Sequence, residues 1–305
     1  MTQVERNVVY GMYSGLALLM DVYRPDNASG YGIVYTNGSA WHRAMAYSAE
    51  ALKDAPAGKR WIDALASGGY TVFAINHRAA PRFKYPAAVE DAQRALRFVR
   101  FHAGEYGIAT DRIGACGGSS GGHLTLMLGH VVDEGNEKDP DPVNRVSARA
   151  QCVVARAPIT SLLHMTNVPF VADFMGMLAT NDTPEYTMER ESYRSASPIE
   201  HVYRETSAPT LLLHGTEDTV VPYDQSVRMQ RAVEDAGVPS KLVTIPGAGH
   251  AADFPGAIEP VPDYLGETVA WFDQYLRQDW RNAANGGAFD RRSEAQEDLT
   301  DQVNV

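Results

Sequence analysis

A pair of serines enclosed by glycines follows a short apolar segment in the middle of the chain. The segment 112–116, RIGAC, runs directly into GGSSGGH at 117–123. When a strand turns sharply into a helix, the two elements pass so closely that only small residues fit two places before and after the turn. The pattern therefore predicts a strand, a strained turn with an exposed serine hydroxyl, and a helix. A solvated Gly/Ser loop is the alternative for these residues taken alone.

The glycine spacing fits two adjacent serines. Ser119 and Ser120 each have a glycine two residues before and two residues after. The local pattern therefore leaves open which of the two occupies the turn.

Short apolar runs alternate with segments of helical periodicity along most of the chain. The runs predict buried strands at 33–36, 70–75, 112–116, 151–155, 210–214 and 241–245. Helical spacing predicts helices at 59–66, 87–102, 122–132, 224–236 and 263–276. This alternation indicates an α/β fold, a mostly parallel doubly wound sheet with helices on both faces. Segments 4–10 and 16–23 predict an antiparallel hairpin at the edge of that sheet.

Two segments depart from this alternation. Residues 158–208 contain no clear strand but many aromatic and methionine side chains, which predicts a helical lid or cap inserted between sheet elements. Packing without substrate contact is the alternative for those side chains. Residues 281–305 are polar and poor in large apolar side chains, which predicts a disordered tail after a single domain at 1–280.

Composition limits the partners that the chain can have. The formal net charge of −11 is spread without long like-charge blocks, which argues against nucleic-acid binding. The apolar run at 16–20 is too short to span a bilayer, so we expect a cytoplasmic protein with no membrane span. No histidine pair has metal-ligand spacing, so neither a metal nor another cofactor is expected. A homo-oligomer stays open.

A serine at neutral pH needs a histidine to take its proton and an acid to orient that histidine. Downstream, the apolar run at 210–214 leads into a polar turn containing Asp218, and the run at 241–245 leads into a glycine-containing loop that ends in His250. Both residues follow predicted strand ends, where ligand sites of parallel sheets lie. Glu217 is the neighbouring competitor for the acid, and a solvated turn is the alternative for either carboxylate. His214, at a strand end, fits a structural hydrogen bond better than catalysis.

Acyl transfer also needs hydrogen-bond donors for the oxyanion that develops on the substrate. One donor is expected from the backbone N–H after the nucleophile, and the others from the loop after the third predicted strand, 35–41. An ordinary loop is the alternative for that segment.

Several motifs in the same order resemble those of a known group of enzymes. They are DRIG at 111–114, GGSSGGHL at 117–124, RAAP at 78–81, YPAAVED at 85–91, HGTEDTVVP at 214–222 and GH at 249–250. Together they resemble the α/β-hydrolase carboxylesterases of the hormone-sensitive-lipase-like and BD-FAE-like groups, which include acetyl esterases, feruloyl-type esterases and kynurenine formamidases. The resemblance implies a catalytic triad with Ser119 as nucleophile, Asp218 as acid and His250 as base.

The segment NGSAW at 37–41 departs from the pattern HGGG or HGGAW that is usual in this group. Carried over by position, the resemblance implies oxyanion donors at the N–H groups of Ser39, Ala40 and Ser120. Asn37 and Ser39 replace a histidine and a glycine of the pattern, which leaves backbone donors in place but alters the loop.

These residues predict a serine carboxylic-ester hydrolase that acts through an acyl-enzyme on a small to medium, apolar or aromatic ester. Trp41 and His42 are expected to contact the substrate. An amide, formamide or lactone hydrolase with the same triad is an alternative, because bond choice depends on the pocket and on leaving-group protonation. A non-catalytic ligand-binding protein on this fold is the alternative from another class.

Overall fold

A single eight-stranded sheet forms the centre of the protein. The computed structural model describes residues 1–44, 46–178 and 187–277. The strands are β1 Thr2–Tyr13, β2 Leu16–Pro25, β3 Gly32–Thr36, β4 Thr71–Ile75, β5 Ile113–Gly118, β6 Val153–Arg156, β7 Thr210–Gly215 and β8 Ser240–Ile245. Their order across the sheet is β1-β2-β4-β3-β5-β6-β7-β8. β2 is antiparallel to both β1 and β4, and all other neighbours are parallel. The predicted fold, including its antiparallel edge hairpin, is confirmed.

Helices cover both faces of this sheet. Those in the described residues are α1 Pro56–Ser67, α2 Ala87–Phe101, α3 Ala103–Tyr106, α4 Ser120–His130, α5 Pro169–Met175, α6 Met188–Ser195, α7 Asp224–Asp235 and α8 Tyr264–Leu276. Short 3₁₀ turns occur at Leu52–Asp54, Pro142–Arg145, Leu162–Met165 and Pro198–His201. No helix among the residues described is both long and apolar enough to cross a membrane.

The central strands β3 to β7 are mostly apolar because both faces of the sheet are buried there. Ile33 of β3 packs into the cluster beneath α1 and α8, whereas its neighbour Val34 packs into the cluster beneath α2 and α4. Successive side chains of a strand point to opposite faces, so a strand covered on both sides reads as a continuous apolar run. Cys116 and Cys152 belong to the same interior and are free thiols.

Four of the parallel strands end near one another and lead into the candidate site. The loops after β3, β5, β7 and β8 leave the carboxyl edge of the sheet, where parallel α/β sheets place their ligand sites. The insertion predicted at 158–208 follows β6, and its described residues form α5, α6 and two of the 3₁₀ turns. The predicted tail at 281–305 lies outside the described residues, and the single-domain boundary at 280 stays a prediction.

Candidate active site

Ser119 occupies the turn between β5 and α4. Its backbone has φ +55° and ψ −123°, a conformation that non-glycine residues rarely adopt. Its N–H donates to the carbonyl oxygen of Arg156 at 2.8 Å. Ser120, in contrast, is the first residue of α4 and is completely buried. The two serines that the sequence pattern could not separate are thus placed differently, and it is Ser119 that lies at the strained turn.

The glycines around the turn leave no room for side chains. A Cβ on Gly117 would lie 2.5 Å from the carbonyl oxygen of Gly121, and a Cβ on Gly121 would lie 2.1 Å from that of Thr36. Real Cβ atoms essentially never come within 3.0 Å of such atoms. The spacing of small residues therefore has the steric cause expected of a nucleophile elbow.

His250 and Asp218 extend a chain of hydrogen bonds from Ser119. Nε2 of His250 lies 2.9 Å from the Ser119 Oγ, and Nδ1 lies 2.7 Å from Oδ2 of Asp218. The Asp218 carboxylate has no exposed surface, whereas the His250 side chain is one-fifth exposed. The three residues come from the loops after β5, β7 and β8, and their distances fit proton transfer between serine and imidazole.

Four hydrogen bonds hold the Asp218 carboxylate. Oδ1 accepts the N–H groups of Val220 and Val221, both at 2.9 Å. Oδ2 accepts from Nε2 of the buried His214 at 3.1 Å as well as from His250. Burial alone would raise the pKa of Asp218, but hydrogen bonds from His214, His250 and Val221 outweigh burial and hold that pKa well below its usual range. The carboxylate is therefore ionised at neutral pH.

His214 agrees with its interpretation as a structural residue, and its partner is the candidate acid itself. Nε2 also faces the carbonyl oxygen of Val221 at 3.0 Å, so this nitrogen carries the proton. Nδ1 then accepts the Ser226 hydroxyl at 2.7 Å. The Ser226 hydroxyl thus fixes the tautomer with which His214 donates to Asp218.

The three predicted oxyanion donors are not equivalent. The Ser39 N–H already donates to the Ser120 Oγ at 2.9 Å, so it is not free in this structure, which differs from expectation. The N–H groups of Ala40 and Ser120 have no acceptor in the described part of the chain. These two are the available donors beside Ser119.

Asn37 is one of the two residues at which the predicted oxyanion loop, residues 35–41, departs from the group pattern, and its contacts show what it does there. Its side chain is buried, and its Nδ2 donates to the carbonyl oxygen of Leu52 at 2.9 Å. Its Oδ1 occupies the space beside Gly58 in α1, where a Cβ would lie 2.3 Å away. The amide thereby attaches the loop to the segment that precedes and begins α1.

Trp41 differs from its predicted role as a substrate contact. The residue has no exposed surface, and its indole stacks on Phe174 of α5 with 4.1 Å between ring centroids. Its Nε1 donates to Nδ1 of His123 in α4 at 3.2 Å. Because packing encloses the ring, Trp41 joins the oxyanion loop to the insertion and does not face a ligand in this conformation. His42 is one-third exposed and lies 3.5 Å from Asp173, so substrate contact stays a prediction for that residue.

The described part of the insertion is attached to the rest of the protein by further bonds. Nε2 of His123 donates to the carbonyl oxygen of Ala196 at 2.7 Å, and the N–H of Tyr85 donates to that of Phe174 at 2.7 Å. Phe174 is buried, whereas Leu178 is 61% exposed. The apolar residues of the insertion therefore divide between packing and exposed positions, and lid motion stays a prediction.

No group of three or more histidine, cysteine or acidic side chains in the described ranges is placed to hold a metal ion. The candidate site consists of side-chain hydrogen bonds and backbone N–H groups. Such an arrangement can perform nucleophilic acyl transfer with the groups that it contains.

The strand order, the turn at Ser119 and the loops that bring His250 and Asp218 to it define the α/β-hydrolase fold. The chain belongs to the BD-FAE family, whose sequence model matches residues 20–233.

Relatives and solved structures agree with this assignment. Esterase LipQ of Mycobacterium tuberculosis is 29% identical over 85% of this chain and 61% of its own length. Esterase LipC of the same organism is 28% identical over 81% of this chain and 60% of its own length. The chain thus spans about 60% of these curated relatives. A solved structure described as a truncated form of carbohydrate esterase from gut microbiota superposes with a TM-score of 0.73 at 25% identity, covering 90% of this chain and 97% of that one.

Proposed function

We propose that the protein is a serine carboxylic-ester hydrolase. The observation that carries the proposal is the unbroken series of hydrogen bonds from Ser119 through His250 to Asp218, with distances of 2.9 and 2.7 Å. The esterase names of the similar proteins support the same activity.

In the proposed first step, the Ser119 Oγ attacks the ester carbonyl while Nε2 of His250 takes the hydroxyl proton. The alcohol leaves with that proton, and an acyl-Ser119 ester remains. A water molecule, deprotonated by His250, then attacks the acyl carbon and releases the carboxylic acid and free serine. Ionised Asp218 accepts a hydrogen bond from Nδ1 throughout, which orients the ring and stabilises its protonated form.

The negative charge on the carbonyl oxygen is expected to be stabilised by the N–H groups of Ala40 and Ser120. Both lack an acceptor among the described residues, and they lie on the two segments that flank Ser119. Donors fixed in advance require little reorganisation when the charge develops. Loss of one such donor typically lowers kcat by about 10² to 10³.

The proposed substrate is a small to medium ester with an apolar or aromatic part. Leu178 of the insertion is exposed, and His42 lies between the oxyanion loop and α5. An apolar acyl or alcohol group would bury the exposed apolar surface of the insertion.

Turnover of p-nitrophenyl acetate and butyrate, together with labelling by a fluorophosphonate probe, tests this proposal. We expect Ser119→Ala to abolish labelling and reduce turnover by at least about 10³. Ser120→Ala retains its backbone N–H and should keep both labelling and turnover within about tenfold of the original protein. Labelling that persists in Ser119→Ala but disappears in Ser120→Ala would contradict the assignment of the nucleophile. Comparison of an ester with its isosteric amide tests the choice of bond.

A further inference from the structure

Arg156 carries a positive charge at the end of an otherwise apolar buried strand. It is the last residue of β6, next to the strand that leads to Ser119, and it is only 8% exposed. Sequence reasoning did not single it out, although a charged residue closing a buried strand was a visible signal. Its contacts concern the His250 loop, which we define as residues 246–263 between β8 and α8.

We propose that Arg156 is a positioning residue that holds the His250 loop in register with the turn at Ser119. This inference rests on the proposed function, in which those two residues exchange a proton.

One residue makes a hydrogen bond to each side of the reacting pair. The backbone carbonyl of Arg156 accepts the Ser119 N–H at 2.8 Å, and its Nη1 donates to the carbonyl oxygen of His250 at 2.9 Å. Because β6 lies between β5 and β7, the side chain bridges from the strand beside the nucleophile to the loop that carries the base. Beside the Asp218 bond to the ring itself, this guanidinium therefore helps to set the position of the imidazole relative to the serine hydroxyl.

The space for this guanidinium is created by Gly118. A Cβ on Gly118 would lie 2.1 Å from Nη2 of Arg156 and 2.6 Å from Cζ. The residue immediately before Ser119 thus has to be small for a second reason besides the sharp turn. The guanidinium is confined between Gly118 and the His250 loop.

The charge of Arg156 has no direct counter-ion in the part of the chain that the structure describes. Its guanidinium makes no ion pair there, and its one side-chain hydrogen bond goes to an uncharged carbonyl. Burial lowers the pKa of Arg156, and the titratable groups that face it from neighbouring elements act in the opposite direction; they are Tyr35, Cys116, Asp218 and Asp253. A buried guanidinium is costly to desolvate, so its position beside the candidate triad is better explained by a role there than by stability.

Two substitutions at this position separate charge from geometry. Arg156→Met keeps an unbranched stem but loses both charge and donors, and we expect kcat to fall about 10- to 100-fold with KM changed less than about threefold. Arg156→Lys keeps the charge without the planar fork, so a fall of its kcat as well would show that the geometry of the guanidinium is required in addition to its charge.

Arg100→Met is the matched control. The Arg100 guanidinium also donates to main-chain carbonyls, those of Ser147 and Arg149, but on elements remote from the candidate site. This variant should lose thermal stability and keep kcat. If Arg156→Met behaves in the same way, with lower thermal stability but unchanged kcat, the positioning role is refuted and Arg156 is a packing residue.

Hydrogen–deuterium exchange makes the result independent of turnover. In Arg156→Met, the backbone amides of the His250 loop should exchange at least about fivefold faster than in the original protein, whereas Arg100→Met should leave them unchanged. Faster exchange in a protein that hydrolyses no ester would refute the proposed function and support the loop contact. Unchanged exchange in an active protein would refute the positioning role alone.

Discussion

Substitution of Gly121 by alanine should destabilise the protein, whereas the same change in a helix usually stabilises it. Replacement of a helical glycine by alanine ordinarily stabilises a protein by about 0.5 to 1 kcal/mol. Gly121, however, lies in the first turn of α4, where the helix passes over the end of β3. Its Cβ would lie 2.1 Å from the carbonyl oxygen of Thr36 and 2.8 Å from that of Asn37. Both are main-chain atoms, which cannot move aside as a flexible side chain would.

The expected loss of stability follows from how far α4 and β3 would have to move apart. To reach the 3.0 Å limit for real Cβ contacts, α4 and β3 have to separate by about 0.9 Å. Overpacking of this kind typically costs about 1 to 3 kcal/mol. Since Gly121 is fully enclosed between strand and helix, we expect a loss of about 2 to 3 kcal/mol in the free energy of unfolding. The same movement shifts the oxyanion loop against Ser119, and a misplacement of about 1 Å can reduce turnover about 10²-fold.

Gly104→Ala provides the matched control. Gly104 lies in α3, is exposed, and would meet nothing within 4 Å of its new Cβ. It should therefore gain about 0.4 to 1 kcal/mol. Urea unfolding followed by circular dichroism measures both variants, and hydrolysis of p-nitrophenyl acetate measures the site. If Gly121→Ala unfolds at the same urea concentration as Gly104→Ala, the steric account of the turn is refuted.

Two further predictions concern buried histidines. His214→Leu removes a hydrogen-bond donor from Asp218, so we expect the pKa of that carboxyl to rise and kcat to fall about tenfold, as for a lost hydrogen bond to a charged group. Ser226→Ala, which removes only the bond to the other nitrogen of His214, should lower kcat less. Equal kinetics in His214→Leu and the original protein would contradict this. Burial lowers the pKa of His123 to about 4 in the folded protein, whereas the pKa of a histidine in the unfolded chain is about 6.5. As the pH falls, the unfolded chain therefore binds a proton first, and the folded protein loses stability between about pH 6.5 and pH 4. Urea unfolding at pH 7 and pH 5 should therefore show a loss that is about 2 kcal/mol smaller in His123→Gln than in the original protein, and identical losses would contradict the assignment.

The sheet and its long helices were predictable because each leaves a periodic signal of adequate length. β3, β4 and β7 are buried on both faces and read as continuous apolar runs. The helix predicted at 87–102 is α2, which ends at Phe101. The short helices α5 and α6 had no comparable signal. Helices of that length depend on tertiary contacts, such as the stacking of Phe174 on Trp41, that lie far apart in the sequence.

The candidate triad could be located from sequence because each of its residues follows a recognisable strand end. The contacts that hold the triad residues and their loops in place could not be predicted in the same way. Trp41 was expected at the substrate because large aromatic residues beside an oxyanion loop often line pockets, but its partner Phe174 is more than a hundred residues away. Arg156 likewise contacts a residue that the fold brings near, His250, whereas His214 was predicted to make a structural hydrogen bond but its partner Asp218 was not identified. Hydrogen-bond partners of side chains depend on three-dimensional packing, which local motifs do not encode.

Both positions at which the oxyanion loop departs from the group pattern, Asn37 and Ser39, take part in hydrogen bonds that hold this loop. Ala40 and Trp41 both have positive φ, at 54° and 56°, and such conformations cost about 1 to 3 kcal/mol each unless the surroundings hold them. Asn37 attaches one end of the loop to Leu52, and the Ser120 hydroxyl attaches the following turn through the Ser39 N–H. The Asn37 side chain thus acts as an anchor for a strained backbone, whereas residue 39 is held through its main-chain N–H. Because Ser120 supplies both the Oγ that holds the Ser39 N–H and one of the two free N–H groups, loop and donor move with α4 as one unit, and the loop stays aligned with Ser119, which immediately precedes that helix.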